Sequence, residues 1–91
     1  MVHLYEILMQ ENQKISFEYF EKIMNNIYTF LIEYDKFKND DYHKIYYYSY
    51  MRKFKYSQVY IAKNLGMDQS TISRKQNEIR KYIILKINEV K

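Results

Sequence analysis

The side chains best suited to molecular recognition lie close together near residue 70. Two amides, two hydroxyls and a guanidinium are supplied by Gln69, Ser70, Ser73, Arg74 and Asn77. Their spacing places these groups largely on one face of a helix. Groups of this kind hydrogen-bond to base edges in the major groove of duplex DNA. The pattern therefore predicts a surface that reads base edges.

Local signals predict two helices and a tight turn around this polar face. Ser57 is a suitable N-cap for the first helix, and Tyr56 before it is expected to pack on Ile61. Gly66 is the single glycine of the chain. It stands where a helix ends in the left-handed conformation, which glycine adopts without strain. Asp68 is a suitable cap for the second helix.

Apolar residues at helical spacing give both helices an inward face. The inward residues of the first helix, predicted over 57–65, are Ile61, Ala62 and Leu65. Those of the second helix, predicted over 68–90, are Ile72, Ile79, Ile83, Ile87 and Val90. The apolar run over 83–85 also leaves a strand open, because it is rich in β-branched residues. The spacing favours a helix, and we predict one.

These residues resemble the helix-turn-helix of bacterial transcription regulators. The residues that carry the resemblance are Ala62, Leu65, Gly66, Ile72 and the phrase QSTISR at 69–74. Over about residues 45–83, the chain is most similar to the C-terminal promoter-recognition region of bacterial sigma factors and to small phage or plasmid regulators. One position departs from the motif, because Lys75 stands where an aliphatic residue is usual.

The resemblance implies sequence-specific binding of double-stranded DNA by a small transcriptional regulator of bacterial, phage or plasmid origin. Helical geometry then assigns base reading to the five polar residues near residue 70. The candidates for phosphate contacts are Arg52, Lys53, Lys55, Ser57, Lys63, Lys75, Arg80 and Lys81. Two alternatives stay open, namely a sigma-like module that binds RNA polymerase and a plasmid-maintenance DNA-binding protein.

The basic residues are concentrated in the same part of the chain. The net charge is +4, but residues 1–45 carry −3 and residues 46–91 carry +7. A basic surplus beside a base-reading surface is the electrostatic footprint expected of phosphate binding. The alternative is a merely solvated lysine-rich surface, and the neighbouring motif favours phosphate contact.

Helical periodicity accounts for the first half of the chain as well. A short helix is predicted over 2–12, a long one over 16–38 and a third over 41–55. The polar connection at 38–41 precedes the third helix and contains an aspartate that could cap it. The inward residues of the short helix are Leu4, Tyr5, Leu8 and Met9. The apolar stripe of the long helix repeats at heptad-like spacing. It consists of Phe20, Ile23, Met24, Ile27, Phe30, Leu31, Tyr34 and Phe37.

These elements predict an all-α fold of about five helices in a single domain over 1–91. Residues 1–45 supply core and dimerisation helices, and residues 46–91 form the basic DNA-binding part. The wide stripe of the long helix builds the core, pairs with a second copy, or does both. We favour a homodimer, because one short recognition helix reads few base pairs and two copies double the contacts. In a sigma-like module the same surface would hold RNA polymerase.

Twelve tyrosines, including four at 46–50, invite a separate interpretation. Tyrosine rings stack on unpaired bases, so a nonspecific single-strand or RNA binder is a third hypothesis. Half-buried tyrosines with their hydroxyls in water explain the same composition, and we favour that explanation.

The sequence argues against an enzyme. It has no cysteine, no phosphate-binding glycine loop and two histidines, His3 and His43. Asp40 and His43 have the spacing to share a helical face, but a structural zinc site wants about four ligands. We therefore predict no metal, no cofactor and no catalytic residue. With no apolar run of about 18–20 residues and no signal-peptide pattern, we expect no membrane partner and a cytoplasmic location.

Overall fold

The computed structural model describes residues 2–10, 15–52 and 56–89. The helices are α1 (Val2–Gln10), α2 (Phe17–Lys38), α3 (Tyr42–Tyr46), α4 (Gln58–Leu65) and α5 (Gln69–Glu89), and α3 continues as a π-helical turn over Tyr47–Met51. No strand occurs within the described ranges. The predicted all-α fold with about five helices is therefore confirmed. None of these helices combines the length and apolarity needed to cross a membrane.

Helix α2 begins and ends at residues suited to those positions. The hydroxyl of Ser16 accepts a hydrogen bond from the Tyr19 N–H at 3.2 Å and caps the first turn. Asn39 ends the helix in the left-handed conformation, with φ 56° and ψ 54°, because asparagine tolerates that region better than most residues. These caps agree with the predicted range of 16–38.

Only part of the predicted stripe of α2 lies in the core. Phe20, Ile23, Met24, Ile27 and Leu31 are buried. The outer members of the stripe are exposed, at 48% for Phe30, 37% for Tyr34 and 83% for Phe37. The stripe is wider than the surface that the other helices cover, and Asp35 takes the next buried position after Leu31.

The start of α3 is held by Asp35 from the preceding helix. Its carboxylate accepts hydrogen bonds from the backbone N–H of Tyr42 at 3.1 Å and of His43 at 2.6 Å. Asp41 occupies the N-cap position but makes no capping hydrogen bond with its side chain. Asp40 accepts from the Asp41 N–H at 2.8 Å. The capping hydrogen bonds of α3 therefore come from the buried side chain of Asp35 on α2, and not from an aspartate of the connection as predicted.

The third predicted helix, over 41–55, is shorter and less regular than expected. The π-helical turn ends at Met51, and Arg52 is already extended, with ψ 154°. Lys53 and Lys55 lie outside the described residues. Tyr46 is completely buried, and its hydroxyl donates to the backbone carbonyl of Met24 at 2.7 Å, which ties α3 to α2.

The turn between α4 and α5 follows the predicted signals. The Ser57 hydroxyl accepts from the Tyr60 N–H at 3.1 Å. Gly66 ends α4 with φ 66° and ψ 36°, and the Met67 N–H donates to the Ala62 carbonyl at 2.9 Å. The backbone carbonyl of Asp68 accepts from the Ile72 N–H at 3.1 Å at the start of α5, and the predicted cap by the Asp68 side chain stays a prediction.

One apolar face of α5 completes the core. Its buried residues are Ile72, Ile79, Ile83 and Ile87. Ile61 and Ala62 of α4 and Leu4 and Leu8 of α1 are buried in the same core. The prediction of a helix rather than a strand over the last part of the chain is confirmed as far as Glu89.

Candidate nucleic-acid interface

Four of the five polar residues predicted to read bases lie together on the face of α5 away from its buried isoleucines. Ser70, Ser73, Arg74 and Asn77 line one open depression together with Glu78 and Lys81. Ser70, Arg74 and Asn77 are exposed, and Ser73 is half-buried. The structure thus brings together four of the five residues on a surface that the core does not use.

Arg74 is not free in this arrangement. Its guanidinium Nη1 lies 3.2 Å from Glu78 Oε1, one helical turn further along. The other carboxylate oxygen of Glu78 accepts a hydrogen bond from the Tyr42 hydroxyl. Burial and this bond to a carboxylate raise the pKa of Tyr42 to about 12. An acidic and an aromatic residue therefore orient the guanidinium on the surface of α5.

Gln69 lies at one end of a hydrogen-bonded series of amides. Its Nε2 donates to Gln58 Oε1 at 3.4 Å, and Gln58 Nε2 donates to Gln76 Oε1 at 2.8 Å. Gln76 Nε2 in turn donates to the Ser49 hydroxyl at 2.8 Å. This series links the first residues of α4 and α5 to the π-helical turn after α3. It holds Gln69 beside the first turn of α4.

Four of the candidate phosphate contacts are exposed side chains on α4, on α5 or at the N-cap of α4. Ser57, Lys63, Arg80 and Lys81 are exposed, and Lys81 also lines the depression. Ser57 uses its oxygen as the α4 cap, which leaves its hydroxyl proton available to donate. Lys53 and Lys55 belong to the part of the chain that is not described, so their predicted role stays a prediction.

The guanidinium of Arg52 lies against three tyrosine rings. The distances from its Cζ to the ring centroids are 5.8 Å for Tyr47, 6.0 Å for Tyr48 and 5.1 Å for Tyr56. Arg52 is nevertheless exposed. Cation–π contacts at exposed sites contribute about 0.5–1 kcal/mol each, so they position the cation without removing it from solvent.

Lys75 points away from the depression and pairs with Asp40, in the connection between α2 and α3. Its side chain is 12% exposed, and its ammonium lies 4.7 Å from the centroid of the Tyr42 ring. Burial raises the pKa of Asp40, but the hydrogen bonds from Lys75 and the Asp41 N–H, with the charges of Lys75 and Arg74, lower it further than burial raises it. Where the motif usually has an aliphatic residue, this chain therefore has Lys75, whose side chain is largely buried and whose ammonium pairs with Asp40.

The tyrosines of the 46–50 cluster divide between core and surface. Tyr46 is buried, Tyr48 and Tyr50 are half-buried, and Tyr47 is 39% exposed. The Tyr56 ring stacks on Tyr60 at 4.4 Å between centroids and packs against the core, and its predicted contact with Ile61 stays a prediction. Most of these rings pack on one another, which is the arrangement expected of half-buried tyrosines.

Asp40 and His43, whose spacing would let them share a helical face, do not do so, because α3 begins at Tyr42 and Asp40 precedes it. His43 Nδ1 lies 2.5 Å from Asp35 Oδ2, and its backbone N–H donates to the same oxygen. Among the described residues, no group of three or more histidines and acidic side chains could hold a metal ion.

Two residues of this surface were not identified from the sequence. Gln58 is the first residue of α4 and Glu78 follows Arg74 by one turn. The second relationship is readable from sequence, because residues four apart on a helix are neighbours. The contact of Gln58 with Gln69 requires the angle between α4 and α5, which sequence spacing does not give.

Comparisons with known proteins give no further assignment. No protein-family model, no curated protein and no solved structure matches this chain.

Proposed function

We propose that this protein binds double-stranded DNA sequence-specifically through α4, the turn at Gly66 and α5, and acts in the cytoplasm as a small transcriptional regulator of bacterial, phage or plasmid origin. The observation that carries the proposal is the open depression on α5. Ser70, Ser73, Arg74 and Asn77 line it, and the opposite face of the same helix is buried. A helix with this division fits a major groove, because its donors and acceptors face outward along its length.

In the proposed complex, each side chain has a role that its chemistry supports. Arg74 would leave Glu78 and donate two of its guanidinium N–H groups to a guanine, while Gln69 or Asn77 would hydrogen-bond to an adenine. Ser57, Lys63, Arg80 and Lys81 would contact phosphates and set the position of α5 in the groove. Lys75 has no direct DNA contact in this proposal, because Asp40 already holds its ammonium.

Electrostatics supports the same interface. The part of the chain that contains α4 and α5 carries +7, against −3 for residues 1–45. Neutralising phosphates with lysine and arginine releases counterions, so binding should weaken steeply with salt. We propose further that two copies bind one operator, since two recognition helices one DNA turn apart double the number of base contacts.

The decisive experiment selects the preferred duplex from a random-sequence pool and then measures affinity by fluorescence anisotropy at near-physiological salt. The selected duplex is compared with a scrambled duplex of equal length and composition. A preference of about 10³-fold or more, the range of specific DNA-binding proteins, supports the proposal. Equal affinities for the two duplexes that fall steeply with salt would show binding to phosphates alone and contradict the proposal.

Two further titrations separate the remaining alternatives. Tighter binding to single strands than to either duplex would favour the tyrosine-based hypothesis. Binding to purified RNA polymerase in the absence of DNA would favour the sigma-like module. Either result, together with no duplex preference, overturns the proposed function.

A further inference from the structure

Four side chains form a continuous series of hydrogen bonds from the π-helical turn after α3 to the first residue of α5. The Ser49 hydroxyl accepts from Gln76 Nε2 at 2.8 Å, and Gln76 Oε1 accepts from Gln58 Nε2 at 2.8 Å. Gln58 Oε1 accepts from Gln69 Nε2 at 3.4 Å. We call Ser49, Gln58, Gln69 and Gln76 the amide relay. Its hydrogen bonds all run in one direction, with each amide donating toward Ser49.

The direction of the relay belongs to its amides together. Ser49, Gln58 and Gln76 are half-buried, and Gln69 is exposed. If Gln58 turned over alone, its Oε1 would face Gln76 Oε1 and its Nε2 would face Gln69 Nε2. Both of its hydrogen bonds would then be lost, and half-buried polar groups would be left without partners, which costs free energy. One amide therefore reverses only if its neighbours reverse with it.

The same direction decides which groups Gln69 offers to a ligand. A glutamine amide has two N–H donors and one carbonyl acceptor. Gln58 accepts one of these N–H donors, so one N–H and Oε1 remain on Gln69. In the major groove adenine presents one acceptor and one donor, whereas guanine presents two acceptors. The remaining groups match adenine, and a guanine would bring its second acceptor against Gln69 Oε1.

Gln69 stands where a DNA-binding helix makes base contacts. It is the first residue of α5 and precedes Ser70, which lines the depression on the outer face of that helix. The N-terminal residues of a recognition helix are those that reach base edges. The other end of the relay lies in a π-helical turn, a rare conformation that occurs frequently at functional sites. The relay thus joins an irregular turn to the start of the proposed recognition helix.

We propose that the amide relay makes this protein select adenine and reject guanine at one base pair. Gln69 contacts the base, and Gln58 is a positioning residue that Gln76 and Ser49 hold in place. Rejection matters as much as contact, because specificity is a difference between two affinities. The inference rests on the proposed function. A wild-type protein that prefers no duplex would refute both, whereas a preferred duplex whose adenine-to-guanine ratio does not depend on Gln58 would refute this inference alone.

The experiment begins with the preferred duplex from the selection. Gln69→Ala should relax the preference at one adenine, which identifies the base that Gln69 contacts. Two duplexes, with adenine or guanine at that position, are then compared for every variant by fluorescence anisotropy. Wild type should bind the adenine duplex about 5- to 150-fold more tightly, the range for one bidentate base contact. A charge introduced at residue 58 acts on the phosphates of both duplexes alike, so it cancels from the ratio of the two affinities.

Two substitutions of Gln58 should affect this ratio differently. In Gln58→Lys the ammonium donates to Gln76 Oε1 as the amide did, but it offers only donors to Gln69. Gln69 then turns over and presents both N–H groups to the base, so the ratio should fall by about tenfold or more toward guanine. Gln58→Glu is the matched control, because its carboxylate still accepts from Gln69, and Gln76 can turn to donate to it while accepting from the Ser49 hydroxyl. Its ratio should stay close to that of wild type.

Ser49→Ala tests the relay at its other end. It removes the acceptor of Gln76, so the amides are free to reverse and the ratio should fall by about two- to fivefold. Partial unfolding lowers both affinities by the same factor and leaves the ratio unchanged. A Ser49→Ala protein that binds both duplexes more weakly at the wild-type ratio would therefore indicate a structural role only and contradict the relay.

Two further results would overturn the proposal. The first is a wild-type ratio in Gln58→Lys as well as in Gln58→Glu, which would show that Gln69 reads its base without help from Gln58. The second is a Gln69→Ala protein that relaxes the preference at no base pair, or at a position where guanine is preferred.

Discussion

Arg74 Nη1 and Glu78 Oε1 lie 3.2 Å apart on consecutive turns of α5, inside the depression proposed to face DNA. The guanidinium is thus oriented before any DNA is present. To contact a base, the guanidinium must leave the carboxylate of Glu78. Glu78 would then keep its hydrogen bond from the Tyr42 hydroxyl. This relationship leads to two predictions that separate the reading of bases from general affinity.

Replacing Arg74 with alanine should cost about 1–3 kcal/mol on the selected duplex and relax the preference at one base pair. The loss on a scrambled duplex should be smaller, because no base contact is made there. Lys63→Ala is the control, since Lys63 is exposed in the last turn of α4. It should weaken both duplexes alike and reduce the salt slope by about one. Equal losses of Arg74→Ala on both duplexes would exclude a base-reading role.

Glu78→Gln should strengthen binding to both duplexes by about two- to fivefold. The substitution removes an exposed ion pair that contributes up to about 1 kcal/mol, so that Arg74 no longer has to leave a carboxylate before it contacts DNA. The same anisotropy titration measures it. Glu89→Gln provides the comparison, because Glu89 also pairs with a lysine on α5, at 3.4 Å from Lys86 Nζ. A gain of the same size in Glu89→Gln would indicate a general charge effect, and the specific role of Glu78 would be lost.

Asp35→Ala should lower the free energy of unfolding by about 1.5–3 kcal/mol, because the half-buried N–H groups of Tyr42 and His43 lose a buried carboxylate as their acceptor. Urea denaturation followed by circular dichroism measures the change. Asp41→Ala is the matched control at the N-cap position, where the side chain makes no capping hydrogen bond. It should change stability by less than about 0.5 kcal/mol. If Asp41→Ala were the more destabilising variant, the cap would have been assigned to the wrong residue.

The ion pair of Asp40 with Lys75 should make stability depend on pH in the acid range. The pKa of Asp40 is lowered in the folded chain, so its contribution is complete above the unfolded value of about 3.9 and is lost as pH falls through the folded value. Asp40→Asn should therefore be less stable than wild type at pH 7 by about 1–3 kcal/mol. The difference should persist at pH 5 and shrink below pH 4, as thermal unfolding at each pH would reveal. A difference that grew on acidification would have the wrong sign for this pair.

The amino-acid sequence by itself determined the helices and most of their ends. Ser16 and Ser57 cap α2 and α4, and Gly66 closes α4 in the left-handed conformation. Each of these signals acts over a few residues, so it is readable without knowing the fold. The isoleucine face of α5 is equally local, because helical periodicity alone separates it from the polar residues on the opposite side.

Tertiary structure alone decided which side chains meet across the chain. Lys75 pairs with Asp40, 35 residues away, and no periodic pattern encodes that contact. The cap of α3 comes from Asp35 because the turn after α2 brings the buried carboxylate to two free N–H groups. Phe30 and Phe37 fit the same apolar stripe as Ile27, yet they are exposed. Periodicity defines the face of a helix, whereas the area that other helices cover is set only when they pack.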